Sequence, residues 1–154
     1  MKMVRISMLI ALAGFVLTSS AHAWFGGGKF KALEPENGVI SIPVNGISDG
    51  KAHYFKTKSD KGVMVEFFVV KSHDGIIRAA VDACDVCYRA GKGYIQEGNV
   101  MICENCGMRF ATDRINEVKG GCNPAPLNRT VDKENLKISM EDINANAWLC
   151  EFKK

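Results

Sequence analysis

The sequence predicts a β-rich α+β domain, in which a small antiparallel sheet carries a two-knuckle, ribbon-like cysteine module and a helix ends the chain. Three observations support this fold class. Short apolar segments separated by glycine, asparagine and aspartate turn signals recur between residues 38 and 81. Two C-x-x-C pairs follow, and a capped, apolar-periodic segment lies near the C-terminus. Strands followed by a helix at one end are typical of the α+β class.

The first 23 residues have the three parts of a secretory signal. Lys2 and Arg5 provide the positive charge, residues 6–17 the apolar segment, and residues 21–23 the A-x-A motif. The apolar segment is about a dozen residues long, whereas a membrane-spanning helix needs roughly 20. We therefore expect cleavage after Ala23 and a periplasmic protein. Association with the membrane through an uncleaved signal is the alternative.

The remaining chain is predicted to be one domain with a short lead. Residues 24–37 begin W-F-G-G-G-K-F-K, which indicates a flexible lead. Residues 38–154 are interpreted as a single cysteine-rich metal-binding domain. The net charge of +3 includes Lys2 and Arg5, which leaves +1 after cleavage. Because the basic residues are scattered and not clustered with aromatics, we expect no nucleic-acid binding.

Four strands are predicted before the cysteines. The segment at 40–44 alternates apolar and polar residues and contains Pro43, which suits an edge strand. The segment at 52–58 follows, and the one at 63–70 is apolar on both faces, as in a central strand. The segment at 76–81 returns from a hairpin and delivers the first cysteine pair.

The later elements are shorter. Residues 94–96 and 100–102 flank Glu97-Gly98-Asn99, a hairpin whose second arm presents Cys103. One helical turn is predicted within 112–118 and a last strand at 137–139. Ser139 is a suitable cap for a helix that places three residues near one face: Ile143, Ala147 and Cys150.

The cysteine spacing is the strongest functional motif. Fifteen residues separate two C-x-x-C pairs, Cys84/Cys87 and Cys103/Cys106. Two such turns facing each other give the four-thiolate set that suits zinc or iron. Gly107 after the second pair can adopt the positive φ that these knuckles often need, and Tyr88 after the first fits less well. Tyr94 and Phe110 bracket the second pair and are expected to shield it from water.

Several runs around the cysteines resemble one family. The runs D-A-C-D-V-C, K-G-Y, M-I-C-E-N-C-G-M-R-F and G-G-C-N-P-A-P-L are similar to those of the bacterial FtrD-like domain, a family labelled as membrane iron–sulfur proteins tied to iron transport. The resemblance runs over residues 54–127 and more loosely to the C-terminal helix. Tyr88 stands where members usually have glycine, and the multi-spanning membrane region of some members is not carried over.

This resemblance implies an iron–sulfur cluster or iron as cofactor. Its implied ligands are the four paired cysteines with Cys122 as a fifth candidate: Cys84, Cys87, Cys103, Cys106 and Cys122. It also implies partners among inner-membrane or periplasmic iron-transport and electron-transfer proteins. No small-molecule substrate is identified, since no Ser/His/Asp or paired-carboxylate set is legible. We therefore expect a redox or metal-binding accessory protein rather than a stand-alone enzyme.

The expected compartment leaves alternatives open. A chain exported unfolded must acquire metal outside the cytoplasm, where zinc or a single iron can bind deprotonated thiols. An oxidising periplasm favours disulfides instead, and six cysteines allow fifteen full pairings. Besides an electron-transfer or iron-handling protein, two hypotheses remain. One is a thiol–disulfide oxidoreductase that uses a C-x-x-C pair assisted by Cys122, and the other is a structural zinc-ribbon interaction module.

Individual residues also have more than one interpretation. Cys122 is a ligand, a resolving thiol, or the disulfide partner of Cys150. Asp82 and Asp85 flank the first knuckle and are interpreted as turn residues or as supports of the ligands rather than as ligands. His73 lies in a predicted turn and is interpreted as a solvated loop histidine, with metal ligation as the alternative.

Overall fold

The computed structural model describes residues 28–154 and confirms the β-rich α+β class. The secretory signal and residues 24–27 of the lead lie outside the described residues. The strands are β1 (Lys31–Ala32), β2 (Val39–Pro43), β3 (His53–Lys58), β4 (Met64–Lys71), β5 (Ile77–Val81), β6 (Tyr94–Glu97), β7 (Val100–Cys103), β8 (Arg109–Ala111), β9 (Thr130–Val131) and β10 (Asn135–Ser139). The α-helix is α1 (Met140–Asn146). Within residues 28–154, no helix combines the length and apolarity needed to cross a membrane.

The first sheet has the order β1-β3-β4-β5 and separates two hydrophobic cores. Strand β4 is central, as predicted, and pairs antiparallel with β3 and β5. Because successive side chains of a strand point to opposite faces, its neighbours Phe67 and Phe68 enter different cores. Both rings are fully buried. The two apolar faces of this segment therefore reflect a core on each side.

The larger core lies between the first sheet and a second sheet of order β2-β10-β9. Strand β2 is at the edge, as predicted, and Pro43 ends it. The Ser139 side chain accepts a hydrogen bond from the Asp142 backbone N–H at 3.2 Å, so the predicted helix cap is confirmed. Three residues predicted to share a face are all buried in this core: Ile143, Ala147 and Cys150.

The smaller core lies under a third sheet of order β6-β7-β8. The predicted hairpin forms β6 and β7, and β8 is an additional strand that the sequence did not predict. Tyr94 of β6 and Met101 of β7 are fully buried in this core beside Phe68. The same core contains Cys84 and Cys103, so this part of the fold positions the cysteine module.

One sequence prediction is corrected and one is confirmed. The lead is not flexible at Lys31 and Ala32, which pair in parallel with Phe55 and Lys56 of β3. The edge of β3 offers unpaired backbone groups, and the lead satisfies some of them by adding a strand. The helical turn predicted within 112–118 is present as a 3₁₀ turn at Thr112–Arg114.

Candidate metal centre

The first knuckle, residues 84–87, follows directly from the first sheet. Strand β5 ends at Val81, and three residues later Cys84 begins a tight turn. The Tyr88 backbone N–H donates to the Cys84 carbonyl at 3.0 Å, and the Cys87 N–H donates to the Cys84 Sγ at 3.3 Å. The turn therefore directs the Cys87 backbone N–H toward the Cys84 sulfur atom and closes around it.

The second knuckle, residues 103–106, repeats this geometry at the end of β7. The Gly107 N–H donates to the Cys103 carbonyl at 2.8 Å, the counterpart of the bond made by Tyr88. Gly107 has a φ of 74°, as its position predicts. The first knuckle continues into a 3₁₀ turn, Tyr88–Ala90, and Gly91 takes the left-handed conformation at φ 66°. This delay of three residues explains how a tyrosine fits after the first C-x-x-C.

A third segment brings Cys122 to the same place. The Tyr94 hydroxyl donates to the Cys122 carbonyl at 2.7 Å. Just after Cys122, the chain pairs with the strand that leads into the first knuckle. Ala125 accepts from the Val81 N–H at 2.8 Å and donates to the Ala83 carbonyl at 3.0 Å. Cys122 is therefore held beside the knuckles by the Tyr94 hydroxyl and by the pairing of Ala125 with Val81 and Ala83.

Five sulfur atoms converge in two overlapping sets. The Sγ atoms of Cys84, Cys87 and Cys103, here called the inner triad, lie within 4.8 Å of one another. Those of Cys87, Cys106 and Cys122, the outer triad, do so as well. Cys84 and Cys103 are 1% and 2% exposed, whereas Cys106 is open to solvent. The five together form the sulfur cluster, which has a buried and an exposed side.

The pKa values follow this division. Burial raises the pKa of the Cys103 thiol to about 11. The Met108 backbone N–H lowers the pKa of Cys106, and the neighbouring thiols of Cys103 and Cys122 add to this effect. Burial and the proximity of Cys106 raise the pKa of Cys122. Of Cys103, Cys106 and Cys122, the exposed Cys106 therefore becomes a thiolate most readily.

A buried charge network lies next to the inner triad. Asp82 is fully buried and lines a cleft together with Cys84 and Cys103. It accepts a hydrogen bond from the Tyr94 backbone N–H at 2.8 Å and from the Lys153 ammonium at 3.0 Å. Lys153 also lies 2.8 Å from a Glu66 carboxylate oxygen. Despite its burial, Lys153 has a raised pKa because Asp82 and Glu66 stabilise its charged form.

Sequence reasoning missed this network. It treated Asp82 as a turn residue or a support of the ligands and did not consider Lys153. One signal was present in the K-G-Y run, because a side chain at Gly93 would collide with the Asp82 carboxylate. Gly93 also has a φ of 105°. A glycine in such a run can thus indicate a nearby buried group that leaves no room for a Cβ atom.

The two histidines in the described part of the chain do not join the sulfur cluster. His53 contacts Asp49 at 2.7 Å, and His73 is 56% exposed and lies 3.8 Å from Asp113. Within residues 28–154, neither belongs to a compact group of potential metal ligands. Asp85 is exposed at the first knuckle.

Two further interpretations concern the surroundings of the cluster. Phe110 packs against the smaller core with its ring 6.2 Å from that of Tyr94, as a shield of the second knuckle would. Cys122 packs against the smaller core, whereas Cys150 is buried in the larger core on the other side of the first sheet. The interpretation of Cys122 as the disulfide partner of Cys150 is therefore wrong for this fold, since a disulfide requires adjacent Cβ atoms.

The cysteine thiols of the sulfur cluster are suitable ligands for an iron–sulfur cluster, iron or zinc. Iron–sulfur clusters are held by cysteine thiolates, and zinc accepts four of them. In a tetrahedral site with metal–sulfur bonds of ~2.3 Å, the sulfurs are about 3.8 Å apart. The sulfur separations within each triad, at most 4.8 Å, are close to this value. The cluster therefore suits thiophilic metals, and the donor types alone do not select one of them.

Comparison with known proteins gives one family and a weaker structural similarity. A family profile described as "Membrane iron-sulfur containing protein FtrD-like" matches residues 47–149. No curated protein matches the chain. Two crystal structures of the quaternary ammonium Rieske monooxygenase CntA, the apo form and a complex with the inhibitor MMV12, align with a TM-score of 0.47 and 16% identity. The alignments cover 68% of this chain, which spans about a third of the enzyme (32% and 33%). At this level the similarity carries no information about activity.

Proposed function

We propose, for a chain that belongs to the FtrD-like family of membrane iron–sulfur proteins, a role as an exported metal or iron–sulfur protein. It transfers electrons or handles iron within a periplasmic iron-uptake system. The single observation that carries this proposal is the convergence of five thiols from three chain segments at one place. Such convergence is expected of a thiolate metal site, and both knuckles support it with local hydrogen bonds.

The proposed ligands are Cys84, Cys87, Cys103 and Cys106, with Cys122 beside them. An iron–sulfur group held there would supply one-electron transfer. The protein's own part is to hold the thiols and control their surroundings. Cys84 and Cys103 are almost completely buried, which excludes water from one side. The backbone N–H groups of Asn105 and Cys106 act against burial and lower the pKa of the Cys103 thiol, and backbone N–H groups near a ligand sulfur adjust the potential of a metal–thiolate centre.

The exposed side of the cluster supports electron exchange with a partner. Cys106 and its neighbours at 104–109 are mostly open to solvent. A donor or acceptor can therefore approach the sulfur atoms without a rearrangement of the fold. We propose that the partners are inner-membrane or periplasmic iron-transport and electron-transfer proteins. No catalytic constellation is assigned, and the protein acts as an accessory of such a system.

Location is part of the proposal. A cleaved signal ending at Ala23 would release residues 24–154 into the periplasm. An uncleaved signal would keep the same domain at the membrane, in line with the description of the family. Mass spectrometry of the protein from its own host distinguishes these forms by the presence or absence of residues 1–23.

One observation favours a second function, thiol–disulfide exchange. Cys106 is exposed, its pKa is lowered, and the Cys122 thiol lies within 4.8 Å of it. An exposed thiolate next to a second thiol is the arrangement that such exchange requires. Under this alternative the outer cysteines are oxidised and reduced and the protein carries no metal.

The experiment that tests the proposal is an anaerobic purification from the periplasm of the native host. The visible spectrum, the iron, zinc, copper and sulfide contents and the number of free thiols are measured on one sample. Visible absorption with iron, and with sulfide if a cluster is present, supports electron transfer. A colourless protein with zinc identifies a structural ribbon module. A metal-free protein in which Cys106 and Cys122 form a disulfide overturns the proposal in favour of exchange.

A further inference from the structure

The sulfur cluster has one thiol more than a mononuclear tetrahedral site uses. Its members form two compact groups of three that share Cys87, and Cys84 and Cys106 belong to different groups. Among the residues that the structure describes, no group of four potential ligands is equally compact. Because Cys87 belongs to both groups, the five sulfur atoms can provide three ligands to each of two ions.

We infer that the sulfur cluster binds two thiophilic metal ions, one in the inner triad and one in the outer triad, with the Cys87 thiolate bridging them. The ligand class is a soft monovalent cation, Cu(I), which thiolates select and which three sulfur ligands satisfy. The inference goes beyond the proposed function and rests on it only in that the sulfur cluster binds metal.

The outer triad is a constructed part of the fold rather than a chance approach of surface thiols. The Tyr94 hydroxyl, on a fully buried side chain, holds the Cys122 carbonyl at 2.7 Å. Gly120 and Gly121 both have positive φ, 82° and 64°, in the approach to Cys122. The Cys103 N–H donates to the Met108 carbonyl at 2.9 Å and the Gly107 N–H to the Cys103 carbonyl at 2.8 Å, which closes the turn that carries Cys106. Each thiol added to Cys87 in this triad is thus positioned by a specific backbone or side-chain bond.

The two positions differ in access to solvent. Cys84 and Cys103 are 1% and 2% exposed, so an ion in the inner triad is shielded by the smaller core. Cys106 is exposed and Cys122 is partly exposed, so an ion in the outer triad can reach a competing chelator. We therefore expect the outer ion to be released first, with an affinity at least about tenfold lower than that of the inner ion.

The test is a titration of reduced, metal-free residues 24–154 with Cu(I), supplied anaerobically as its acetonitrile complex. Native mass spectrometry counts the copper ions bound per chain, and competition with a Cu(I) chelator measures the two affinities. The expected result is two ions for the unaltered chain and one for Cys122→Ser or Cys106→Ser. Cys150→Ser is the matched control, because this buried cysteine lies in the other core, and it should still bind two.

A second variant keeps all five thiols. Tyr94→Phe removes the hydroxyl that holds the Cys122 carbonyl at 2.7 Å and that also contacts the Cys84 thiol. Loss of a group that orients a ligand typically costs 10–100-fold in metal affinity. We expect the affinity for the second, outer ion to fall by about tenfold and the affinity for the first, inner ion to change less. This measurement decides the matter if a cysteine variant does not fold.

Each outcome has a distinct meaning. One copper in the unaltered chain, two in Cys122→Ser, or an unchanged affinity for the second ion in Tyr94→Phe overturns the two-ion inference and leaves a metal-binding function intact. No copper bound by the reduced chain overturns the inference, and the metal content of the native protein then decides the proposed function. Two ions in the unaltered chain and one in both outer variants establish it.

Discussion

The two knuckles make the same local turn but differ in what lies behind them. In each, the N–H after the C-x-x-C donates to the carbonyl of the first cysteine, at 3.0 Å in the first knuckle and 2.8 Å in the second. Beyond that turn, the first knuckle is covered by the C-terminal segment. The second ends a small sheet, and residues 104–109 are exposed.

The cover of the first knuckle is aromatic and charged. The Tyr88 ring meets the rings of Trp148 and Phe152 edge-on, with centroids 5.0 and 5.6 Å apart. Lys153 follows and enters the buried carboxylate network. Met108, next to the second knuckle, is instead 54% exposed. The comparison teaches that a C-x-x-C sets the direction of its sulfurs, whereas packing from distant segments sets their exposure and pKa.

The largest effect is expected from the charge behind the first knuckle. Lys153→Met leaves the fully buried Asp82 with Lys29, at 3.6 Å, as its remaining cation. Removal of one partner from a buried pair is strongly destabilising, and we expect a loss of about 3 kcal/mol in the free energy of unfolding of the reduced, metal-free protein. Urea denaturation measures it. Lys154→Met, at an exposed neighbour, is the control, and equal small losses in both variants would contradict a structural role of the buried pair.

Two glycines provide a matched pair of variants that test how closely the C-terminal segment packs behind the first knuckle. Gly91 and Gly107 both have positive φ, 66° and 74°, close behind their knuckles. A Cβ atom at Gly91 would lie 2.5 Å from the Phe152 carbonyl oxygen, whereas nothing lies within 4 Å of one at Gly107. Gly107→Ala should lower the free energy of unfolding by roughly 1 kcal/mol, the cost of placing alanine at a positive φ. Gly91→Ala should lower it by about 2 kcal/mol more, because the C-terminal segment must also move. Denaturation midpoints that do not differ between the two would show that this segment is loosely held.

Thiol reactivity should separate the buried and exposed sides. The pKa of Cys106 is lowered and that of Cys103 is raised to about 11, so Cys106 holds the larger thiolate fraction near neutral pH. The lower nucleophilicity of a low-pKa thiolate offsets part of this difference, and we expect Cys106 to react at least about tenfold faster. As pH rises, Cys106 should reach its maximum rate first. Iodoacetamide labelling of the reduced, metal-free protein with peptide mass spectrometry measures both rates, and similar rates for the two cysteines would contradict the assigned difference.

The smallest effect concerns the charged pair on the arms of the second knuckle. Arg109 lies 3.0 Å from Glu97, and these side chains are 54% and 58% exposed. Exposed pairs contribute little, so Arg109→Gln should change the free energy of unfolding by less than about 0.5 kcal/mol. The same urea denaturation used for Lys153→Met checks this. A loss as large as that of Lys153→Met would mean that the second knuckle is not the open side of the molecule.

Local patterns determined much of the fold. Apolar segments bounded by turn signals located β2 to β5, and the turn at Glu97-Gly98-Asn99 located the hairpin of β6 and β7. Ser139 marked the start of α1. These features depend on side chains within a few positions of one another, which a sequence displays directly. The same holds for the spacing of the two C-x-x-C pairs.

The tertiary structure decided what surrounds the sulfurs. The lead became a strand because the edge of β3 was available. Cys122 joined the cluster and Cys150 did not, since the first sheet separates their two cores. The bond that holds Cys122 joins residues 28 positions apart, and the one that joins Lys153 to Asp82 spans 71 positions. The sequence by itself thus determined the strands, the capped helix and the two knuckles. Only the folded chain decided which distant side chains bury one side of the sulfur cluster, because such contacts follow from packing and leave no local period in the sequence.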